Sequence, residues 1–258
     1  MAKRKKQNEE TTLATRANSS PLANIKPRRG LEDVDTSRLQ IPRLHLCQDL
    51  SPQVKQKTAQ EGDIVNVLSG KNYGSKVVVI PIFHTFQRIK WFPRAEGGGM
   101  ECVARNGKHG TVHGNCSECP HANWIKDKRN GSDKPPACTE YENFLVLPEK
   151  EAVPAILAME KTKQAVARKF ISAMMFGEGD IWDRAYLLST VQQMSARKEP
   201  FFNYTVNFHR ETTKEERAKA EALYLSMNAR RNDLDPVEEP GQSGGGSPEP
   251  SARGRGKY

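Results

Sequence analysis

The sequence predicts a mainly β domain with two helices and an insertion organised around cysteines. Three observations lead to this prediction. Apolar, β-branched and aromatic residues are grouped in five runs between residues 76 and 208. One helical pattern separates the third run from the fourth, and another follows the fifth. Four of the five cysteines lie between the first run and the second.

The five runs have the composition of β-strands. Pro81, inside the first and longest run, predicts a bulge or bend. The runs are Lys76–Phe92, Glu142–Pro148, Ala155–Met159, Ala185–Val191 and Phe201–Phe208. Two shorter strands are predicted before them, at Ile41–Leu46 and Glu61–Leu68. We expect the first of these at a sheet edge, because Pro42 has no amide hydrogen to donate.

The first helix is predicted over Lys161–Phe176, where an apolar stripe recurs at helical spacing (Val166, Phe170, Ile171 and Met174). The second is predicted over Thr213–Met227 with an N-terminal capping box. Three strands, a helix, two strands and a closing helix match the OB-fold, a five-stranded Greek-key barrel. The fold class is therefore predicted as an OB-like barrel with a zinc-binding loop insertion and a C-terminal helix. A different α+β sheet would give the same order of elements.

Composition divides the chain into three parts. Residues 1–38 are polar and basic, and we expect a disordered N-terminal arm. Residues 39–230 form the predicted OB-like domain, with the insertion at about residues 97–140. Residues 231–258 are rich in Pro, Gly and Ser, and we expect a disordered tail.

Charge and hydropathy narrow the class of protein. Lys and Arg outnumber Asp and Glu by 40 to 31, a formal net charge of +9, and such an excess favours polyanionic partners. No run approaches the roughly 20 apolar residues that cross a bilayer, so we expect no membrane partner. The basic N-terminus is not followed by an apolar stretch, and we expect an intracellular protein.

The cysteine spacing predicts one structural zinc ion held by Cys102, Cys116, Cys119 and Cys138. Two residues between Cys116 and Cys119 let both sulfurs converge on one tetrahedral ion. The segment between the outer cysteines is rich in Gly, Asn, Lys, His and Pro and has almost no apolar core of its own, so metal binding would supply its folding energy. Cys47 lies apart and is predicted to be a small buried residue. The nearby histidines, His109, His113 and His121, are interpreted as exposed polar residues rather than ligands.

The sequence lacks the motifs of the catalytic classes that its cysteines and charge could suggest. There is no P-loop pattern and no H-x-E upstream of the C-x-x-C pair, as the zinc deaminases require. Four thiolates also leave no open metal position for water. We therefore expect a protein that is not an enzyme.

Single-stranded nucleic acid is bound through cations for its phosphates and flat side chains for its bases. Alternation along the first strand places Phe86, Arg88 and Lys90 on one face and Trp91 on the other. The predicted nucleic-acid-binding residues are Phe86, Arg88, Lys90, Trp91, Lys108, Lys126, Arg129 and Tyr204. Core packing is the alternative for the aromatic residues. For Phe86 and Tyr204, core packing and nucleic-acid contact are equally compatible with the pattern. For Phe202 and Phe208 we expect core packing.

The cysteine frame, with Gly114–Pro120, Trp124 and Pro136 around it, resembles a group of bacteriophage single-stranded DNA-binding proteins. Those proteins have an OB-like core and a zinc-binding insertion. The resemblance covers about residues 40–225. It implies single-stranded DNA as the partner, phage replication or recombination proteins as further partners, and the cytoplasm of the infected bacterium as the location.

One alternative remains open. A zinc-stabilised transcription or protein-interaction factor would have the same cysteine frame and would prefer duplex DNA or a protein. The region around Trp124 would then be its docking surface.

Overall fold

The longest strand of the protein, Lys76–Trp91, is the element around which the sheet is arranged. This computed structural model describes residues 40–93, 98–125, 135–195 and 197–228. In those ranges the strands are β1 (Arg43–Leu46), β2 (Ile64–Asn66), β3 (Lys76–Trp91), β4 (Met100–Ala104), β5 (His109–Gly110), β6 (Gly114–Asn115), β7 (Cys138–Pro148), β8 (Ala155–Glu160), β9 (Arg184–Met194) and β10 (Pro200–Glu211). The helices are α1 (Pro52–Lys55), α2 (Gln164–Met175) and α3 (Lys214–Asn228).

Eight of these strands form one curled sheet with the form of a half-barrel. Its order is β10-β9-β3-β7-β8-β1-β2, and β4 pairs with the end of β3. β3 pairs with β7 on one edge; on the other it pairs first with β9 and then with β4. The β3–β7 register shifts between Pro81 and Phe83, which confirms the predicted bulge. A bulge increases local twist and so contributes to the curl.

The Gln48 side chain connects β10, at one end of the sheet, to the region after β1, near the other end. The Gln48 amide, just after β1, donates to the Phe202 carbonyl at 2.9 Å and accepts from the Phe202 amide at 2.9 Å. It therefore satisfies the backbone of a β10 residue as a paired strand would. Gly62, just before β2, has φ +84 and lies against the Phe202 ring, so a Cβ there would be 2.6 Å from it. These contacts hold β10 close to the β1–β2 end of the sheet.

The two longer helices cover opposite faces of the sheet. α2 packs Phe170 against Phe144 of β7, with 4.8 Å between ring centroids. α3 buries Ala220 in a second cluster that contains Ile80 of β3. The predicted apolar stripe of α2 is confirmed, since its buried residues are Ala167, Phe170 and Met174 and its partly buried ones Val166 and Ile171.

The mainly β prediction and the order of its elements are confirmed. The five predicted main strands correspond to β3, β7, β8, β9 and β10, and the two predicted helices to α2 and α3. The capping box of α3 is formed, because Thr213 and Glu216 exchange hydrogen bonds of 2.9 and 3.2 Å. The sheet has eight strands rather than five, however. The predicted arm, 1–38, and the predicted tail, 231–258, lie outside the described residues.

The predicted edge position of the first strand is wrong. β1 lies between β8, which is parallel to it, and β2, which is antiparallel. Pro42 precedes the strand, so its missing amide hydrogen does not interrupt the ladder. Its carbonyl accepts a hydrogen bond from the Ile156 amide at 2.8 Å, which extends the pairing with β8.

Candidate metal centre and nucleic-acid interface

Lys90, near the end of β3, lies between two of the four clustered cysteines. Its direct neighbours in register are Cys102 on β4 and Cys138 at the start of β7. The other two, Cys116 and Cys119, follow the β5–β6 hairpin. The sheet therefore brings together two cysteines that are far apart in the chain.

The insertion has a small core of its own. Cys116 and Cys119 are 6% and 5% exposed and are buried with Ala104 and Ala122, and Cys138 packs against this cluster. Its apolar content is low, because the buried non-cysteine members are both alanines. The thiols are therefore the largest groups at its centre.

Cys102 belongs to the same module through the β5–β6 hairpin. A Cβ built on Gly110 would come within 2.6 Å of the Cys102 sulfur, so only glycine leaves room for that sulfur. The hairpin also positions the C-x-x-C pair, since the Cys116 amide donates to the Lys108 carbonyl at 2.9 Å.

The electrostatics of Cys138 also indicate that the four thiols are close. Its pKa is raised to about 11, first because burial disfavours the thiolate. Negative charge on Cys119, Cys102 and Cys116 raises this pKa further. A bound cation would reverse that repulsion.

Arg88 connects the sheet to this module. Burial, the largest single effect, lowers its pKa, but the hydrogen bond to Glu140, the charge of Glu140 and the nearby Cys116 sulfur together outweigh it and the pKa is raised. The Cys116 sulfur acts on Arg88 in the same direction. With Lys90 between Cys102 and Cys138, two cations therefore adjoin the thiol cluster.

Four soft thiol donors suit zinc in chemical type. All five cysteines are free thiols. Among the described residues, however, no group of three or more His, Cys, Asp or Glu side chains is arranged to hold a metal ion. The zinc site therefore stays a prediction, with Cys102, Cys116, Cys119 and Cys138 as the residues that would hold the ion. Its role would be structural. Cys47, directly after β1, is fully buried, as predicted.

The histidines of the insertion differ from one another. His109 is exposed, as expected. His113 and His121 are half-buried and their ring centroids are 4.8 Å apart. His113 also lies 3.1 Å from a carboxylate oxygen of Glu101.

The predicted alternation along β3 is present. Thr85, Gln87 and Ile89 are buried, and the side chains between them are half-exposed. Each basic side chain on the half-exposed face meets a glutamate of a neighbouring strand: Arg88 with Glu140 at 2.7 Å, Lys90 with Glu101 at 2.6 Å, and His84 with Glu142. Arg88 and Lys90, which were predicted to contact phosphates, are therefore each paired with a carboxylate.

The two aromatic residues predicted on β3 are both held in place. Phe86 packs on Gly107, whose φ is +68, and the Arg88 guanidinium lies 5.4 Å from its ring centroid. Trp91 packs on a cluster that includes Tyr141, and its indole nitrogen donates to the Tyr141 hydroxyl at 3.1 Å. Both are half-buried.

On β10, Phe202 packs against the main core as predicted, whereas Tyr204 and Phe208 differ from the prediction. Tyr204 is 1% exposed in the main core, and burial raises its pKa, so it is closed to a stacking base in this conformation. Phe208, predicted in the core, is 56% exposed. It lies near the end of β10, past the part that the core covers.

The predicted cations of the insertion are only partly described. Lys108 is exposed and close to the β5–β6 hairpin. Lys126 and Arg129 lie outside the described residues.

Comparison with known families matches residues 9–232 to a family model described as Pam3 phage gp34-like protein. The chain belongs to this phage protein family. Comparison with curated proteins and with solved structures gives no match.

In the described part of this phage protein, no helix combines the length and apolarity that crossing a bilayer requires. Sequence reasoning missed the glutamates that pair with the basic side chains of β3. A signal for them exists, because Glu140 and Glu142 alternate with the same period of two as Arg88 and His84. It becomes readable only once β7 is known to be the neighbour of β3.

Proposed function

We propose that this phage protein binds single-stranded DNA in phage replication, recombination or repair, without catalysing a reaction. The supporting observation is the connectivity of β3, β7, β8, α2, β9 and β10. β3 pairs with β7 on one edge and with β9 on the other, and α2 lies between β8 and β9. This order and these pairings are compatible with the OB-fold, a common binder of single strands. We infer an OB-like barrel to which β1, β2 and β4 are additions.

Binding would combine phosphate contacts with base stacking. The excess of basic residues over acidic ones provides the attraction. Lys108, Lys126 and Arg129 of the insertion, with Phe86 and Trp91, remain the proposed contacts from sequence. Arg88 and Lys90 would reach DNA only by leaving their glutamates. We propose that they instead offset the negative charge of a zinc ion with four thiolates.

The zinc insertion would act as a rigid loop beside the sheet. We propose that Cys102, Cys116, Cys119 and Cys138 hold one structural zinc ion. The support is the spacing of the four cysteines, the burial of Cys116 and Cys119 in one cluster with Cys138 against it, and the room that Gly110 leaves for the Cys102 sulfur. The location would be the cytoplasm of the infected bacterium, with phage replication or recombination proteins as further partners.

The test is a titration of the full chain with a fluorescent single-stranded oligonucleotide at two salt concentrations, with matched duplex as competitor. We expect tight binding that weakens steeply with salt, because neutralised phosphates release counterions. Duplex should not displace the single strand. An affinity that is unchanged by salt, or equal displacement by duplex, would contradict the proposal.

The second candidate is a zinc-stabilised transcription or protein-interaction factor. Trp124 and Ile125, at the end of the described part of the insertion, are 63% and 51% exposed. Adjacent exposed apolar side chains are typical of protein contacts. Preference for duplex in the same competition would favour this candidate.

A further inference from the structure

Two large aromatic side chains are exposed where α2 ends beside β10. Phe176, directly after α2, is 89% exposed, and Phe208 of β10 is 56% exposed. The Tyr186 hydroxyl donates to the Ala173 carbonyl in the last turn of α2 at 3.3 Å. The Tyr186 ring also meets the Phe208 ring edge-on, with centroids 6.5 Å apart. One buried tyrosine therefore brings Phe208 and the end of α2 to the same region of the surface.

The charge around these rings is positive along the helix. α2 contains no Asp or Glu, and Arg168 and Lys169 are exposed on it. Within the part of the chain described, neither forms an ion pair. Lys169 precedes Phe176 by seven positions, so both project from one side of the helix, about 10 Å apart along its axis.

Of the three acidic residues that follow Phe176 in the chain, two have hydrogen-bond or ion-pair partners. Asp183 pairs with Arg217 at 3.3 Å, and Asp180 takes part in a capping box. Glu178 is exposed two positions after Phe176. Its carboxylate would repel a polyanion at this place.

Exposed rings, together with cations that form no ion pair among the described residues, match one kind of partner. Flat side chains stack on nucleobases whatever the base, and cations attract the phosphates between them. The face of β3 does not offer this combination, because its cations meet glutamates. An apolar protein partner would be complementary to the rings but not to Arg168 and Lys169.

We propose that Phe176 and Phe208 form a stacking surface for bases of single-stranded DNA, with Arg168 and Lys169 contacting its phosphates. We call this surface the α2–β10 platform. The inference rests on the proposed function, and the platform would give the DNA strand a path across the α2 side of the sheet.

The test measures the affinity of the full chain for a single-stranded oligothymidylate at fixed salt. Phe176→Ala and Phe208→Ala should each weaken binding about 5- to 100-fold, as loss of a base-stacking ring does. Leu225→Ala, which shortens an equally exposed apolar side chain on α3 (68% exposed), is the matched control and should bind as the wild type does. Thermal melting checks that all three variants fold.

Charge variants separate phosphate contact from stacking. Lys169→Gln should lower the salt slope of the binding constant by about 0.7, the value for one phosphate contact on a single strand. Phe176→Ala should leave that slope unchanged. Glu178→Gln should strengthen binding modestly, because it removes the local repulsion.

The outcomes distinguish this inference from the proposed function. If the wild type binds and both Phe variants bind like Leu225→Ala, the platform is refuted while DNA binding stands. A change of oligomeric state in the Phe variants at unaltered affinity would also refute it, by making this surface a contact between copies. If the wild type binds no single-stranded DNA, both proposals fall.

Discussion

In the main sheet, Phe144 is fully buried between the rings of His84 and Phe170, whose centroids are 4.9 and 4.8 Å away. In the cysteine insertion, by contrast, the buried cluster consists of two alanines and cysteines. The first region removes large apolar surfaces from water, which is the main favourable term in folding. The second buries little apolar surface and gathers groups that repel one another once ionised. The two regions therefore need different sources of stability.

The comparison indicates why one chain would combine both. The sheet can fold on apolar burial, and the insertion is attached to it through β4 and the start of β7. If zinc holds the insertion, its loss should unfold the insertion and leave the sheet intact. The predictions below test this division, from the largest expected effect to the smallest.

Cys119→Ser should abolish stoichiometric zinc binding. Structural zinc in small domains contributes on the order of 10 kcal/mol of apparent binding free energy, and a tetrahedral site depends on each ligand. Elemental analysis of the purified chain would measure the loss. Cys47→Ser, which removes the buried thiol directly after β1, is the control and should retain the zinc.

Phe144→Ala should destabilise the sheet by about 3–5 kcal/mol, the usual cost of deleting a buried phenyl ring. Denaturant unfolding would measure the change. Phe92→Ala makes the same chemical change at a 40% exposed site and should cost under about 1 kcal/mol. Equal effects at the two sites would contradict the assigned core.

Gly110→Ala should destabilise the insertion by about 1–3 kcal/mol, because the new methyl group collides with the Cys102 sulfur. A chelator competition would show weaker zinc binding. Gly114→Ala is the comparison: it adds a methyl group where nothing lies within 4 Å, at φ +69, and so introduces backbone strain alone. The zinc affinity of that variant should fall less.

Acid should weaken the sheet through His45. Burial, and secondarily the charge of Lys163, lower its pKa to about 4 from the usual 6.5. Below pH 6.5 the unfolded chain gains this proton while the folded chain does not. Stability present above pH 6.5 is therefore lost progressively down to about pH 4, at most about 3 kcal/mol. In His45→Gln, unfolding measured across this range should lose that part of the pH dependence.

The smallest expected change in stability concerns the Arg210–Glu216 ion pair, which joins β10 to α3. Arg210 hydrogen-bonds Glu216, and this holds the pKa of the Glu216 carboxyl at about 2. The stabilisation is present above the unfolded pKa near 4.5 and disappears as pH falls towards 2. Glu216→Gln should cost under about 1 kcal/mol, because the pair is half-exposed and screened by salt. A larger loss, measured at neutral pH, would mean that the pair is worth more than its exposure implies.

Sequence patterns predicted the elements whose signals are local. The β-branched run placed β3 within one residue of its observed end, and Pro81 marked its bulge. Threonine and glutamate three positions apart marked the start of α3. In each case the determining residues are neighbours in the chain.

Features that depend on strand register could not be predicted in this way. Arg88 meets Glu140 only because β7 pairs with β3 in one register. β1 is internal because a parallel partner arrives more than a hundred residues later. Phe208 and Tyr204 have the same parity on β10, yet only Tyr204 lies where the core extends. The short strands β4, β5 and β6 have weak β propensity and form within the insertion.

The most direct measurement combines native mass spectrometry with hydrogen exchange on the full chain, before and after chelation. One zinc ion per chain is expected. After its removal, amides in β4, β5 and β6 should exchange rapidly while those of β8 and β9 stay protected. A chain without zinc, or an insertion equally protected in the presence of chelator, would contradict the account.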